Sequence, residues 1–216
     1  MTPEPGEPRA GWVAGDVAAE FGDLRLLQLD VDAVPGRSPR EIRQQLKDLS
    51  DRFRGAQAVA MRRQPVPWAY RVFFRQIGLD PDTTRTPIEA AAVDRLLKGG
   101  WRSQNIVDDA LTIALIETGV PIWALDAERV EGSLGIRTAA AGEPLGRGAG
   151  APPLPVGRLV VADDRSPVAV LFGDLARGHG VTPESRHIVL FCIQVAGVPT
   201  IHAEEALYSC ATTLLQ

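Results

Sequence analysis

The chain has 216 residues, of which 45% are hydrophobic and 23% charged, and its formal net charge is −4. A chain of this length and composition can bury a sizeable core, and one large domain is a better expectation than two small ones. The acidic balance argues against a broadly basic nucleic-acid-binding protein. No stretch approaches the roughly 18 uncharged apolar residues that a membrane-spanning helix requires, so no membrane association is predicted.

The first ten residues contain three prolines and two glutamates. Residues of this kind cannot bury apolar area, so 1–10 are predicted to be a flexible tail and 11–216 a single domain. The domain begins with a strand candidate, L-R-L-L-Q-L-D-V-D at 24–32, which Pro35 and Gly36 interrupt.

The first half of the domain is predicted to be mainly helical. Ser38 is expected to cap the first helix, which Gly55 ends. Thr86 and Glu89 have the spacing of a capping box, so a later helix should begin there. The predicted helices cover about 39–54, 67–77, 86–98 and 104–118.

After Gly119 the pattern changes to short apolar runs that are typical of strands. A closing helix is predicted over 203–215. Because helices and strands are partly segregated along the chain, the pattern predicts an α+β fold with mixed or antiparallel β-sheets packed with helices. The predicted strands lie near 121–125, 134–138, 158–162, 168–172 and 187–195.

Several familiar motifs are missing, and no cofactor or metal is predicted. Glycines at 146, 148 and 150 suggest a phosphate-binding loop, but prolines at 152, 153 and 155 exclude the helix that would hold the phosphate. The three histidines do not have zinc-ligand spacing. Cys192 and Cys210 lie in apolar contexts, and we expect buried thiols in a reducing, cytoplasmic compartment. No catalytic residue is assigned.

Residues 37–85 are basic, with 11 Lys and Arg against 5 Asp and Glu. Aromatic residues lie among these arginines, and such interleaving can bind phosphates and stack bases. The alternative is an amphipathic helix with solvated arginines and buried aromatics. The candidate RNA-binding residues are Arg62, Arg63, Arg71 and Arg75.

The order of short motifs from Tyr70 onward is more specific than any one of them. It resembles the B3/B4 domain of the β subunit of bacterial phenylalanyl-tRNA synthetase, in a freestanding form. That domain lies near tRNA and carries an editing pocket that hydrolyses tyrosyl-tRNA mischarged onto the phenylalanine tRNA. The motifs are R-Q-I-G-L-D-P at 75–81, N-I-V-D-D at 105–109, G-V-P-I-W-A-L-D at 119–126, V-E-G-S-L-G-I-R at 130–137 and G-E-P-L at 142–145.

The resemblance implies a substrate pocket, and Asp109 and Arg137 could pair across it. The pocket departs from the synthetase type in two places, because Trp123 replaces a histidine and Phe191 replaces a glutamate. Without those polar groups the pocket is expected to discriminate poorly between a side chain with the tyrosine hydroxyl and one without it. The implied pocket residues are Asn105, Asp109, Trp123, Asp126, Arg137 and Phe191.

Each of these residues also has a structural interpretation. Asn105 and Asp109 lie where side chains cap a helix or favour its dipole. Asp126 follows a strand and could form a turn. Trp123 and Phe191 could fill the pocket as core, or line a smaller apolar cavity.

Two functions remain open at this stage. The first is a tRNA-associated module, with a trans-acting aminoacyl-tRNA deacylase of altered specificity as its catalytic form. The second is a non-catalytic domain that binds an amino acid, another small molecule or a protein and reuses the fold. The oligomeric state is not determined by the sequence.

Overall fold

A computed structural model describes residues 5–148, 151 and 153–216. Within these residues, seven α-helices and eight β-strands form the predicted α+β fold. The helices are α1 (Gly15–Glu20), α2 (Arg40–Arg52), α3 (Gly55–Met61), α4 (Pro65–Gln76), α5 (Pro87–Lys98), α6 (Ile106–Thr118) and α7 (Thr200–Leu214). The strands are β1 (Arg9–Ala10), β2 (Trp12–Val13), β3 (Arg25–Asp32), β4 (Ile122–Asp126), β5 (Gly135–Thr138), β6 (Leu159–Ala162), β7 (Pro167–Val170) and β8 (His187–Gln194).

The strands form two four-stranded sheets. The first has the order β1-β3-β8-β4 and is antiparallel throughout. The second has the order β2-β5-β6-β7 and is mixed, because β2 runs parallel to β5 while the other pairs are antiparallel. One large apolar core runs through both sheets.

The first sheet is covered on both faces. Successive side chains of a strand point to opposite faces, and Cys192 of β8 lies against Ala203 of α7. Phe191, its neighbour, therefore faces the other way, toward a cluster of aromatic rings. Burial raises the pKa of the Cys192 thiol to about 12, and Cys210 is buried as well, which confirms the prediction of buried thiols.

Helix ends follow local chemistry. Thr86 and Glu89 form the predicted capping box at the start of α5. Asn105 is the N-cap of α6, and its side-chain oxygen accepts hydrogen bonds from the amides of Val107 and Asp108. Gly119 ends α6 with φ of 78°, a left-handed conformation that glycine adopts without steric cost and that turns the chain into β4.

Two predicted helix boundaries are wrong. Gly55 does not simply end a helix, because α2 stops at Arg52 and Gly55 begins the short helix α3. Ser38 does not cap α2 either. Pro39 occupies the N-cap position, and the Ser38 hydroxyl instead donates to the Asp109 carboxylate across the fold.

The chain ends and loops add three facts. Arg9 and Ala10, placed by composition in the tail, pair with β3, whereas residues 1–4 lie outside the described residues. In the predicted loop at 146–155, residues 149, 150 and 152 also lie outside them. Within the described chain, no helix combines the length and apolar character needed to cross a bilayer.

Candidate functional site

The two aromatic residues of the predicted pocket lie side by side on the first sheet. Trp123 of β4 and Phe191 of β8 are register partners, and their rings stack with centroids 5.5 Å apart and planes 13° apart. Phe191 is only 1% exposed, whereas Trp123 is partly exposed. Phe191 is therefore the buried ring of the pair, and Trp123 is the ring that reaches the surface.

Phe172, which follows β7, also contacts Trp123. Their rings meet edge to face at 5.8 Å, and Phe172 also contacts the rings of Tyr70, Phe73 and Phe74 of α4. Among the described residues, Phe172 alone is a non-glycine with positive φ, at 57°. A bulky residue in this region is strained by about 1–3 kcal/mol, and the surrounding packing must maintain it.

Beside Trp123 lies an open cavity of about 370 Å³, which we call the β4 cleft. Its walls are the first turns of α6, the edge strand β4, the turn at 35–36 and the loop at 175–183. Its volume lies within the range of small-molecule sites. The residues that define its chemistry are Asn105, Asp108, Leu111, Trp123, Val181 and Thr182.

The polar end of the β4 cleft is built by the start of α6. The Asn105 side-chain oxygen caps the helix, while its Nδ2 donates to Asp108 Oδ2 at 2.7 Å. Both interpretations of Asn105 are therefore compatible, since it caps α6 and orients a carboxylate that lines the cleft. Within the described part of the chain, Asp108 Oδ1 has no hydrogen-bond partner or cation in reach.

Asp109 does not line the β4 cleft, because consecutive residues of a helix, here Asp108 and Asp109, point about 100° apart. It lines a separate cavity between α2, α5 and α6 and is 2% exposed. Its oxygens accept from the hydroxyls of Ser38 and Ser103 at 2.6 and 2.5 Å and from the amide of Gln104 at 3.0 Å. This carboxylate joins three segments of the chain.

Arg137 does not pair with Asp109, contrary to the hypothesis from the sequence. Its guanidinium makes two parallel hydrogen bonds to Glu143, at 2.7 and 2.6 Å. The hydrogen bond from Arg137 lowers the pKa of Glu143, and burial opposes this only in part. The pair joins β5 to the following loop.

Asp126 is buried at the end of β4. One oxygen accepts from the Glu128 amide and the other from the Ser185 hydroxyl, at 3.1 and 2.8 Å. Its own amide donates to the carbonyl of His179. These contacts hold a turn together and do not direct the carboxylate into the β4 cleft.

The predicted RNA-binding arginines divide into two groups. Arg71 is 5% exposed and is bound to Glu89 and Asp82, so it is a buried ion-pair residue and not a surface contact. Burial alone would lower the pKa of Arg71, but Asp82 and Glu89 together raise it. The physical reason for this correction is that a phosphate contact would leave Glu89 without its partner.

Arg62, Arg63 and Arg75 are exposed. Arg62 Nε lies 2.9 Å from Glu89, and Arg75 lies over the ring of Trp68 at 5.9 Å, with Asp82 nearby. Arg63 has no ion-pair partner within the residues that the structure describes. Of the four arginines predicted to bind RNA, three therefore share the carboxylates of Asp82 and Glu89.

The structure brings Asn105 and Trp123 to one cavity and keeps Asp109, Asp126 and Arg137 away from it. Sequence reasoning missed Asp108 and Leu111, although a signal was present. Positions 105, 108 and 111 recur at a spacing of three, which places them on one face of a helix. The wall at 175–183 carried no comparable signal, because a loop has no periodicity.

Comparison with known proteins places this geometry in context. The B3/4 domain family matches residues 69–209. The phenylalanine–tRNA ligase β subunit of Streptomyces avermitilis is 37% identical over 94 residues, which are 43% of this chain and 11% of that protein. The β subunit of Gloeobacter violaceus is 38% identical over 185 residues, which are 82% of this chain and 20% of that protein.

The β subunit of Photorhabdus laumondii is 34% identical over 105 residues, 46% of this chain and 13% of its own length. The chain thus spans a fifth or less of these relatives. The family match contains the α6 and β4 segment and the β8 strand that build the β4 cleft and its buried ring. By this match, which confirms the resemblance of the motifs, the chain belongs to the B3/4 domain family.

Proposed function

We propose that this protein is a tRNA-associated B3/4 domain that takes the amino acid of an aminoacyl-tRNA into the β4 cleft and hydrolyses its ester in trans. One observation carries the proposal: Asn105, Asp108 and Trp123 line a single open cavity within the segment that matches the family. The relatives that share this segment are subunits of a tRNA ligase, which supports a tRNA-linked substrate.

The lining of the β4 cleft suits an amino acid with an apolar side chain. Asp108 offers a carboxylate oxygen to an α-ammonium group, a charge-assisted hydrogen bond. Leu111, Trp123 and Val181 supply apolar walls. With Asp108 engaged by the α-ammonium group, a tyrosine hydroxyl would lack a second charged partner or a histidine there, so discrimination in favour of tyrosine is not expected.

Hydrolysis requires water to attack the ester carbonyl carbon. The bond from that carbon to the ribose oxygen then breaks, the ribose oxygen takes a proton, and free amino acid and tRNA are released. Among the described residues, no histidine, cysteine or glutamate lines the β4 cleft. The neighbouring ribose hydroxyl of the substrate would therefore assist proton transfer, and the protein would contribute by orienting the ester.

Two exposed arginines adjoin the β4 cleft and suit contacts with the acceptor end of a tRNA. Arg37 directly follows Gly36, and Arg177 lies within the loop that forms one wall. Neither is neutralised by an ion pair in the described part of the chain. Phosphate contacts of this kind make affinity depend on salt.

A panel of aminoacyl-tRNAs tests the catalytic part of the proposal. We expect deacylation of tRNAs charged with apolar amino acids, and the substitution Asp108→Asn should lower kcat/KM about 10- to 100-fold, as expected for loss of a charged hydrogen bond. Glu117→Gln, on the exposed far end of α6, is the matched control and should leave the rate unchanged. A panel with no hydrolysis above background would reject deacylation.

A gel shift with tRNA at several salt concentrations tests association. Reversing Arg37 and Arg177 to glutamate should weaken binding and reduce the salt slope by about two. Arg25→Glu is the control, because Arg25 lies at the far end of β3, about 25 Å along the strand. Absence of binding at low salt in the unmodified protein would contradict the proposal.

A second candidate is an amino-acid-binding domain without catalysis. It is favoured because no histidine, cysteine or glutamate is among the described lining residues, and Asp108, the carboxylate that is, is assigned to binding the α-ammonium group. It predicts a thermal shift with free amino acids or nucleosides, no tRNA gel shift and no deacylation. These three measurements separate the two functions.

A further inference from the structure

We infer that a second cavity, beside α1, binds a free α-amino acid with an apolar side chain. This cavity, which we call the α1 cavity, has a volume of about 290 Å³ and shares no lining residue with the β4 cleft. Its walls are α1, the C-terminal end of α4 and the facing ends of β5 and β6. The volume lies near the lower limit of small-molecule sites. The inference does not depend on the proposed function.

The buried part of the lining is apolar. Val17, Leu159 and Leu171 are buried and belong to the large apolar core. Phe21 and Ile77 are partly buried and pack against that core. A ligand in the α1 cavity therefore meets an apolar surface, and contact with this surface removes an aliphatic or aromatic side chain from water.

Arg158 supplies the positive charge of the α1 cavity. Its backbone is fixed, because its amide donates to the carbonyl of Pro155 at 3.1 Å and its carbonyl accepts from the amide of Ala139 at 2.8 Å. Its side chain is half-buried and makes no hydrogen bond or ion pair within the residues that the structure describes. A guanidinium whose donors have no internal acceptor is available to a carboxylate, which it can bind through two parallel hydrogen bonds.

Two carboxylates supply the negative charge. Asp16 and Glu20 are four residues apart on α1, so they lie on the same face of the helix. Both are exposed, and neither forms an ion pair in the described part of the chain. Like charges at this spacing disfavour a helix, and Glu20 also ends α1, where a negative charge is unfavourable. The helix therefore gains nothing from Glu20, whose carboxylate is available to an ammonium group in the cavity.

The combination of charges favours a zwitterion. A ligand with only negative charge would meet two carboxylates, and a ligand with only positive charge would leave Arg158 without a partner. An α-amino acid satisfies both signs, with its carboxylate on Arg158 and its ammonium group on Asp16 or Glu20. Its side chain then lies against the apolar part of the lining.

Site-resolved NMR titration tests the inference, because a thermal shift alone would not distinguish the two cavities. The probe is free leucine. Its single-charge analogues are 4-methylpentanoate, which lacks the ammonium group, and 3-methylbutylamine, which lacks the carboxylate. The amide signals of Gly157 and Leu159 report on the α1 cavity, and those of Ala124 and Thr182 report on the β4 cleft. Leucine should shift the first set saturably and bind there about tenfold or more tightly than either analogue.

Substitutions of the charged residues identify which group of the ligand each one binds. Arg158→Gln should weaken leucine binding about tenfold, as expected for loss of a charged hydrogen bond, and leave 3-methylbutylamine unchanged. Asp16→Asn combined with Glu20→Gln should weaken leucine and 3-methylbutylamine but not 4-methylpentanoate. The analogue that keeps its affinity shows in each case that the cavity is intact. Arg129→Gln is the matched control, because Arg129 is exposed and lines neither cavity.

Four results would overturn the inference. The first is the absence of a saturable shift of Gly157 and Leu159 up to about 10 mM leucine. The second is equal affinity for leucine and both analogues, since no charge would then be recognised. The third is a loss in Arg129→Gln as large as that in Arg158→Gln, which would indicate a general effect of charge. The fourth is a leucine shift confined to Ala124 and Thr182, which would support amino-acid binding in the β4 cleft and remove the second site.

Discussion

The β4 cleft and the arginines at 62–75 both carried a functional prediction, and they differ in how their charges are used. At the cleft, Asp108 keeps one oxygen available beside an open cavity. In the second region, Glu89 and Asp82 enclose Arg71 of α4, and Arg62, which precedes α4, lies near the same carboxylates. A charged side chain is available to a ligand only where the fold gives it no internal partner.

The two regions should also differ in how much a substitution changes the free energy of unfolding. A buried ion pair stabilises a fold only while both partners remain, and removing one leaves an uncompensated charge. A partly exposed carboxylate at a cleft costs little when it is replaced. Substitutions on α4 and α5 should therefore mainly lower stability, whereas substitutions at the cleft should mainly weaken ligand binding.

The largest effect is expected at the ion pair between α4 and α5. Glu89→Gln removes the charge that compensates the buried Arg71 and should lower the free energy of unfolding by about 3–5 kcal/mol. Urea unfolding measures this. Asp82→Asn is the control, since the Asp82 side chain is 57% exposed and solvent screens its charge, so the loss of stability there should be much smaller. A loss of equal size in both variants would remove the distinction between buried and exposed partners.

A smaller effect is expected at the polar end of the cleft. Asn105→Ala leaves the amides of Val107 and Asp108 without their acceptor and should cost about 1 kcal/mol of unfolding free energy. It also releases the Asp108 carboxylate, so kcat/KM for deacylation should fall as well. Asn105→Ser retains a capping acceptor, and in that variant stability should largely recover. An Asn105→Ala protein with normal stability and a normal rate would contradict both assigned roles of Asn105.

The smallest effect concerns the pair of Arg137 and Glu143, which is intermediate in burial. Glu143→Gln should cost about 1 kcal/mol at neutral pH. Because Arg137 lowers the folded-state pKa of Glu143, this stabilisation is complete above the unfolded pKa of about 4.3 and is lost as pH falls through the lower folded value. Urea unfolding of both proteins from pH 7 to pH 3 should show the difference shrinking toward acid. A constant difference would exclude ionisation of Glu143 as its source.

Much of the fold could be predicted from local patterns. Apolar spacing and capping residues identify α5 and α6, and alternating or continuous apolar runs locate β4 to β8 within a few residues. The short helix α3 escaped prediction because Gly55, a frequent helix end, lies at its start. Ser38 was misassigned because its hydroxyl serves Asp109, which is 71 residues away in the sequence.

The candidate site was less predictable. Trp123 and Phe191 could be singled out from the motifs, but their stacking depends on the register of β4 against β8. The choice between Asp108 and Asp109 depends on which face of α6 meets the rest of the protein. Both carboxylates follow Asn105, and only packing against Ser38 and Ser103 removes Asp109 from the cleft.

The sequence by itself determined the elements, their α+β class and the family to which they belong, because periodicity, caps and short motifs are local properties. Tertiary structure alone decided which charged side chains acquire internal partners and which face a cavity. Arg71, Asp109 and Arg137 each found a partner that lies beyond any local pattern. Burial makes an unpaired charge costly, so the long-range contacts that satisfy charges also determine which residues remain available for a ligand.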